Sequence, residues 1–124
     1  MESGRTRIET GHKAEQLAEQ YLANNGLRLI ERNYRCRGGE IDLVMEDERT
    51  LVFIEVRYRK HRSFGGAAES VDRRKQLRLI HAAQHYLLRG KHTERACRFD
   101  VIAVSPGKTG KPQVHWIKNA IELD

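Results

Sequence analysis

Three strand-like runs follow one another with very little chain between them. Leu27 to Tyr34, Glu40 to Glu46 and Leu51 to Arg59 are rich in β-branched and large apolar residues. Gly38-Gly39 separates the first two, and the charged Asp47-Glu48-Arg49 leads into the third. Connections this short cannot carry a crossover, so the runs are expected to pair as an antiparallel meander.

The flanking chain supplies the layers that cover such a sheet. From Gly11 to Asn25 the apolar residues Ala14, Leu17, Ala18, Tyr21 and Leu22 recur at helical spacing, with Thr10 available as a cap and Asn25-Gly26 as a stop. After a loop with Gly65-Gly66, a long helix is expected from about Ser70 to Arg89. Cys97 to Val104 reads as a buried fourth strand, and Gln113 to Ile117 as a candidate fifth after the Pro106–Pro112 loop. A helix of that length between the third and fourth strands allows a right-handed crossover that sets them parallel. The expected fold is α/β, a mixed α+β sheet flanked by two helices, in the order α-β-β-β-α-β. With 124 residues there is room for one core. Residues 1–10 are expected to form a flexible tail and residues 11–124 a single domain.

No apolar run approaches the roughly 20 residues that a membrane-spanning helix needs. Met1 to Thr10 is polar and lacks the apolar stretch of a signal peptide. A cytoplasmic protein without a membrane partner is the expectation. The two cysteines, Cys36 and Cys97, form neither a C-x-x-C pair nor a disulfide framework and are expected to be free thiols. His81 and His85 stand at i, i+4, but the segment between them lacks the glutamate of a zinc-protease motif. Lys plus Arg number 23 against 17 Asp plus Glu, a net charge of +6. The excess is concentrated in Arg57, Arg59, Lys60 and Arg62, and again in Arg73, Arg74, Lys75 and Arg78. Clusters of this kind bind phosphate backbones by releasing counterions, or serve as a solvated surface that keeps the protein soluble.

Two carboxylates do not suit a plain core. Strand periodicity puts Glu40 and Asp42 on one face of the second run, and Ile41 and Leu43 on the other. In the third run Val52, Ile54, Val56 and Tyr58 share a face, leaving Phe53, Glu55, Arg57 and Arg59 opposite. Glu55 therefore interrupts one of the most apolar stretches of the chain, where an ionised group needs a partner or a metal. If the strands are neighbours, Asp42 and Glu55 converge, and a divalent cation such as Mg²⁺ or Mn²⁺ would neutralise them. The competing reading pairs Glu55 with Arg57, Arg59 or Arg35. On the first helix, Glu15 falls at the edge of the apolar stripe.

Gly11-x-x-Ala14-Glu15-x-x-Ala18-x-x-Tyr21-Leu22, Asn33-Tyr34-Arg35, Gly39-Glu40-Ile41-Asp42-Leu43, Phe53-Ile54-Glu55-Val56-Arg57-x-Arg59 and Arg98-Phe99-Asp100-Val101 resemble the YraN-like family of small bacterial proteins. The resemblance spans roughly Gly11 to Ile117. That family in turn is similar to the archaeal Holliday junction resolvases of the PD-(D/E)xK nuclease superfamily, which implies a restriction-endonuclease-like core. It also implies a metal held by Glu15, Asp42 and Glu55, with the Val56 carbonyl as a further ligand, and metal-dependent hydrolysis of phosphodiester bonds. The implied partner is nucleic acid, DNA in the first instance, held by Arg57, Arg59, Lys60, Arg62, Arg73 and Arg74. A homodimer would suit a two-fold junction.

One position departs from the superfamily pattern. Lysine is usual two residues after the glutamate, and this chain has Arg57. Arginine supplies charge and hydrogen bonds but cannot act as a general base. Arg57 then acts electrostatically, or Lys75 or Lys60 takes over the lysine's part, or cleavage has been lost. Three expectations follow: an endonuclease for branched DNA with Asp42, Glu55, Arg57 and Lys75 in catalytic roles, a non-catalytic nucleic-acid-binding module, and an interaction protein with structural carboxylates.

Overall fold

The computed structural model describes residues 3–59, 72–92, 94–107 and 110–121. Lys60, Arg62, the Gly65-Gly66 loop and the first residues of the expected second helix lie outside them. The elements in chain order are α1 (Ser3–Asn24), β1 (Arg28–Cys36), β2 (Gly39–Asp47), β3 (Thr50–Tyr58), α2 (Arg73–Arg89), β4 (Cys97–Ser105) and β5 (Gln113–Ile117). They form one five-stranded sheet in the order β1-β2-β3-β4-β5. β1, β2 and β3 make the expected antiparallel meander, β4 joins β3 in parallel after α2, and β5 returns antiparallel on β4.

The two helices cover opposite faces, as strand alternation in β3 requires. Leu51 and Phe53 pack with Leu79, Ala82, Ala83 and Tyr86 of α2, while Val52 and Ile54 pack with Ala14, Ala18 and Leu22 of α1. α1 stops where Asn25-Gly26 was expected to stop it. Gly26 takes φ +94°, and the Leu27 N–H returns to the Leu22 carbonyl. Its start differs from expectation, because the helix extends back to Ser3 and Thr10 lies inside it rather than at a cap. Arg5 to Thr10 holds no Gly and no Pro, so no strong helix breaker interrupts this stretch. α2 begins with Asp72 as its cap, the carboxylate accepting the Lys75 N–H at 2.9 Å.

Trp116 of β5 is held within the fold. Its indole donates to Asp100 at 2.9 Å and its ring meets Tyr21 edge-on. Asp100 is fully buried and also accepts from Arg98 and from the Asn119 N–H. The indole bond fastens β5 to β4, and the Asn119 bond fastens the turn after β5.

The β1–β2 hairpin sits directly beneath α2, and Gly39 makes this approach feasible. A Cβ there would stand 2.2 Å from the Arg78 carbonyl oxygen and 3.2 Å from the Ala82 nitrogen, both backbone atoms that cannot swing aside. Gly39→Ala is expected to destabilise the protein by roughly 1–3 kcal/mol. Urea denaturation measures this, and an unchanged midpoint would show that the helix yields freely.

Candidate active site

Regular alternation along β2 fails at Asp42. Ile41 packs with Tyr34 and α2, whereas Leu43, two residues on, packs with α1. The expectation that Ile41 and Leu43 share a face is therefore corrected. Their partners in β1 are Tyr34 and Arg32, and between them Asn33 adopts the left-handed conformation at φ 52°. Asparagine tolerates that region, and a residue there turns the strand over so that its two neighbours no longer share a face. β2 follows the same reversal opposite Asn33, at Asp42.

The β2–β3 pairs end here too, at Leu43↔Ile54. Beyond that pair the Val56 N–H finds the Asp42 side chain, donating to Oδ2 at 2.8 Å. The strands part, and the gap between them receives carboxylates. Burial pushes Asp42 up to about 7, helped by the charges of Glu55, Glu15 and Glu40 and opposed by the Val56 N–H. Burial also raises Glu55, while Lys75 and Arg57 pull it down. Asp42 and Glu55 thus titrate as neighbours, as their convergence requires.

Glu55 faces the α2 side with two cations near it. Its Oε2 lies 3.8 Å from Arg57 Nη1 and 3.9 Å from Lys75 Nζ, neither at hydrogen-bond distance. Arg35, a third candidate partner, pairs with Glu40 instead. Lys75 reaches the site from the first turn of α2, where Asp72 fixes its backbone. A cleft of about 320 Å³ is lined by Glu55, Lys75, Arg74, Arg78, Glu40 and Asp72. Arg73 is exposed on the same helical turn. Arg57 Nε and Arg59 Nε are buried without hydrogen-bond partners among the described residues.

Glu15 is half-buried and lines a separate cavity with His12, Glu19 and Arg32, on the α1 side of the sheet. Its charge acts on both Asp42 and Glu55. Among the described residues, however, no group of three or more His, Cys, Asp or Glu is close enough to form a ready-made metal cage. The donor chemistry suits a hard cation all the same. Mg²⁺ is commonly held by one or two carboxylates with water and substrate phosphate completing its shell, and Asp42 and Glu55 provide that minimum. His81 and His85 are engaged otherwise, the first with the Arg37 carbonyl at 3.0 Å and the second with the Tyr34 hydroxyl at 2.5 Å. Both cysteines are free, and burial raises the Cys97 thiol.

Arg98 and Asp100 play a part that sequence reasoning missed. The argument that singled out Glu55, a charge inside an apolar run, applies equally to Asp100 in the run Cys97 to Val104. Here the structure supplies donors rather than a second carboxylate: Arg98 reaches both Asp100 and Asp47.

Comparison with known proteins places the chain among small proteins of similar length. The model of the uncharacterised protein family UPF0102 matches residues 14–104. A UPF0102 protein of Methylococcus capsulatus is 58% identical over 120 residues, covering 97% of this chain and 96% of the relative. Relatives from Stutzerimonas stutzeri and Alcanivorax borkumensis are 54% and 51% identical, covering 91% and 94% of this chain and 94% of each relative.

Asp42 binds its proton more tightly folded than unfolded, where its pKa is about 4. The stability tied to that proton is complete below about pH 4 and is lost as pH rises through about 7. Asp42→Asn keeps an acceptor for the Val56 N–H and removes the charge. At pH 8 with chelator present the variant is expected to be more stable than the parent by roughly 1–3 kcal/mol, with the advantage vanishing near pH 4. Denaturation measured from pH 4 to 9 would expose a wrong assignment as a pH-independent difference.

Proposed function

The chain belongs to the uncharacterised family UPF0102, the YraN-like group whose motifs it carries, and from its site we propose that it is a metal-dependent endonuclease-like protein of the cytoplasm acting on branched DNA. The observation that carries the proposal is the pair Asp42 and Glu55, gathered where β2 and β3 part and bordered by Arg57 and Lys75. On a protein of net charge +6 this is a local acidic centre within a basic surround, an arrangement suited to a cation and a phosphodiester together. Among the described residues no helix is long and apolar enough to cross a membrane.

In this reading Asp42 and Glu55 hold Mg²⁺ or Mn²⁺, with Glu15 adding negative charge from the α1 side and the Val56 carbonyl as a further candidate ligand. When bound, the cation supplies positive charge at the scissile phosphate and a more acidic water. Lys75 takes the part left open by Arg57. Its ammonium is compact and can turn from Glu55 towards an incoming phosphate or water, whereas the guanidinium of Arg57 stays protonated and planar. The guanidinium of Arg57, partly exposed beside Glu55, is a donor that a phosphate oxygen would meet. Arg73 and Arg74 extend the positive surface along α2, and a homodimer would present two such surfaces to a junction.

A non-catalytic DNA-binding module is the second reading, favoured by Arg57 in place of lysine and by the missing three-carboxylate cage among the described residues. Cleavage of labelled duplex, flap and four-way-junction DNA with Mn²⁺ separates the two. Asp42→Ala and Glu55→Ala are expected to reduce cutting by roughly 10²–10³-fold, and Lys75→Ala by a comparable factor that Lys75→Arg does not restore. Salt-sensitive binding that needs no metal, with no cutting by the parent protein, would favour the second reading.

A further inference from the structure

The cleft beside Glu55 holds more positive charge than its own carboxylates use. Three cations line it, Arg74, Lys75 and Arg78, all from the first two turns of α2. Of its three carboxylates, Glu40 pairs with Arg35, Asp72 accepts the Lys75 N–H, and Glu55 lies near Lys75 and Arg57. Arg74 and Arg78 are left over. Both are exposed, and among the described residues neither side chain makes an ion pair or a hydrogen bond. At i and i+4 they share one face of the helix, with their Cβ atoms about 5–6 Å apart. Two guanidinium groups this close repel each other, and an anion between them relieves that repulsion. Their mounting is fixed as well. The Arg78 backbone lies against Gly39 of the β1–β2 hairpin, and His81 on the next turn binds the Arg37 carbonyl at 3.0 Å.

We infer that Arg74 and Arg78 clamp one backbone phosphate of the substrate, the neighbour of the scissile one. The inference rests on the nuclease reading above and adds a second, non-reacting phosphate to its site. Position supports this. Lys75 stands by Glu55, and at about 100° per residue the midpoint of Arg74 and Arg78 lies roughly 80° round the helix from it. A phosphate held by the two arginines is therefore not the one that meets Lys75, yet it sits in the same cleft of about 320 Å³. Chemistry supports it too, because a guanidinium presents a planar fork of N–H donors that matches phosphate oxygens. In this arrangement Arg78 touches no reacting atom. It is a positioning residue, holding the strand so that the scissile group rests at Asp42 and Glu55.

The test uses the full chain and a four-way junction whose cut is first mapped in Mn²⁺. Junctions that each carry one neutral methylphosphonate, at successive positions about the cut, are then bound in EDTA. At the phosphate next to the cut, neutralisation is expected to weaken binding by the parent about 10- to 100-fold. Arg78→Ala should lose a similar factor on the unmodified junction and lose nothing more at that one position. Arg78→Lys should restore only part of the loss, and Arg78→Ala should lower the salt slope of binding by about 1. A merely structural role would weaken every junction alike. Additive losses at all positions therefore overturn the inference, as does coupling to a phosphate remote from the cut. Either result leaves the nuclease reading standing if Asp42→Ala removes the cutting seen in the parent. A parent that cuts no DNA has no scissile phosphate to position, and both readings then fall.

Discussion

The hydrogen bond from the Val56 N–H to Asp42 is the contact on which the rest of the site depends. Inside a sheet each N–H is normally taken by a neighbouring strand, and leaving one unpaired in the interior costs about as much as a lost hydrogen bond. Beyond Leu43↔Ile54 the β2–β3 pairs stop, and a side chain supplies the acceptor that the backbone no longer provides. The carboxylate that satisfies β3 in this way is held next to Glu55 in a buried setting. A need of the sheet and an unfavourable placement of charge are joined in one residue.

Two aspartates in the same sheet show what environment does to one side chain. Asp100 is surrounded by donors from Arg98, Trp116 and Asn119, and it ties β5 and the turn after it to β4. Asp42 receives the Val56 N–H and otherwise feels the carboxylates of Glu55, Glu15 and Glu40. The first arrangement satisfies its charge within the fold. The second leaves negative charge that a cation from outside would relieve. The cations at hand stand just beyond hydrogen-bond reach of Glu55, so the acidic pair is bordered by positive charge without being closed off by it.

Glycine at position 39 links this chemistry to the packing of α2. Because no Cβ intervenes, the helix lies close over the β1–β2 hairpin, and its first turn brings Lys75 towards the end of β3. The capping bond from Asp72 fixes that turn. Placing Lys75 by Glu55 is thus a result of helix packing and capping at residues distant in sequence from β3.

The strand order, the parallel crossover and the two-sided cover were legible because each rests on local rules: short connections, period-2 alternation, a helix long enough to cross. Glu55, Arg57 and Tyr58 fell on the expected faces of β3 for the same reason. The turn at Asn33 and the reversal at Asp42 were not legible, since strand periodicity assumes an extended backbone at every residue and asparagine in a strand carries no obligation to leave it. Nor was the pairing of Arg35 with Glu40, or the split of Glu15 into a cavity apart from Lys75. By itself the sequence determined the elements, their order and which residues carry charge into apolar surroundings, because those follow from spacing along the chain. Only the tertiary structure decided which charges meet, because a distance between side chains from different elements depends on where strands part, how closely a helix can approach and which backbone groups remain to be satisfied.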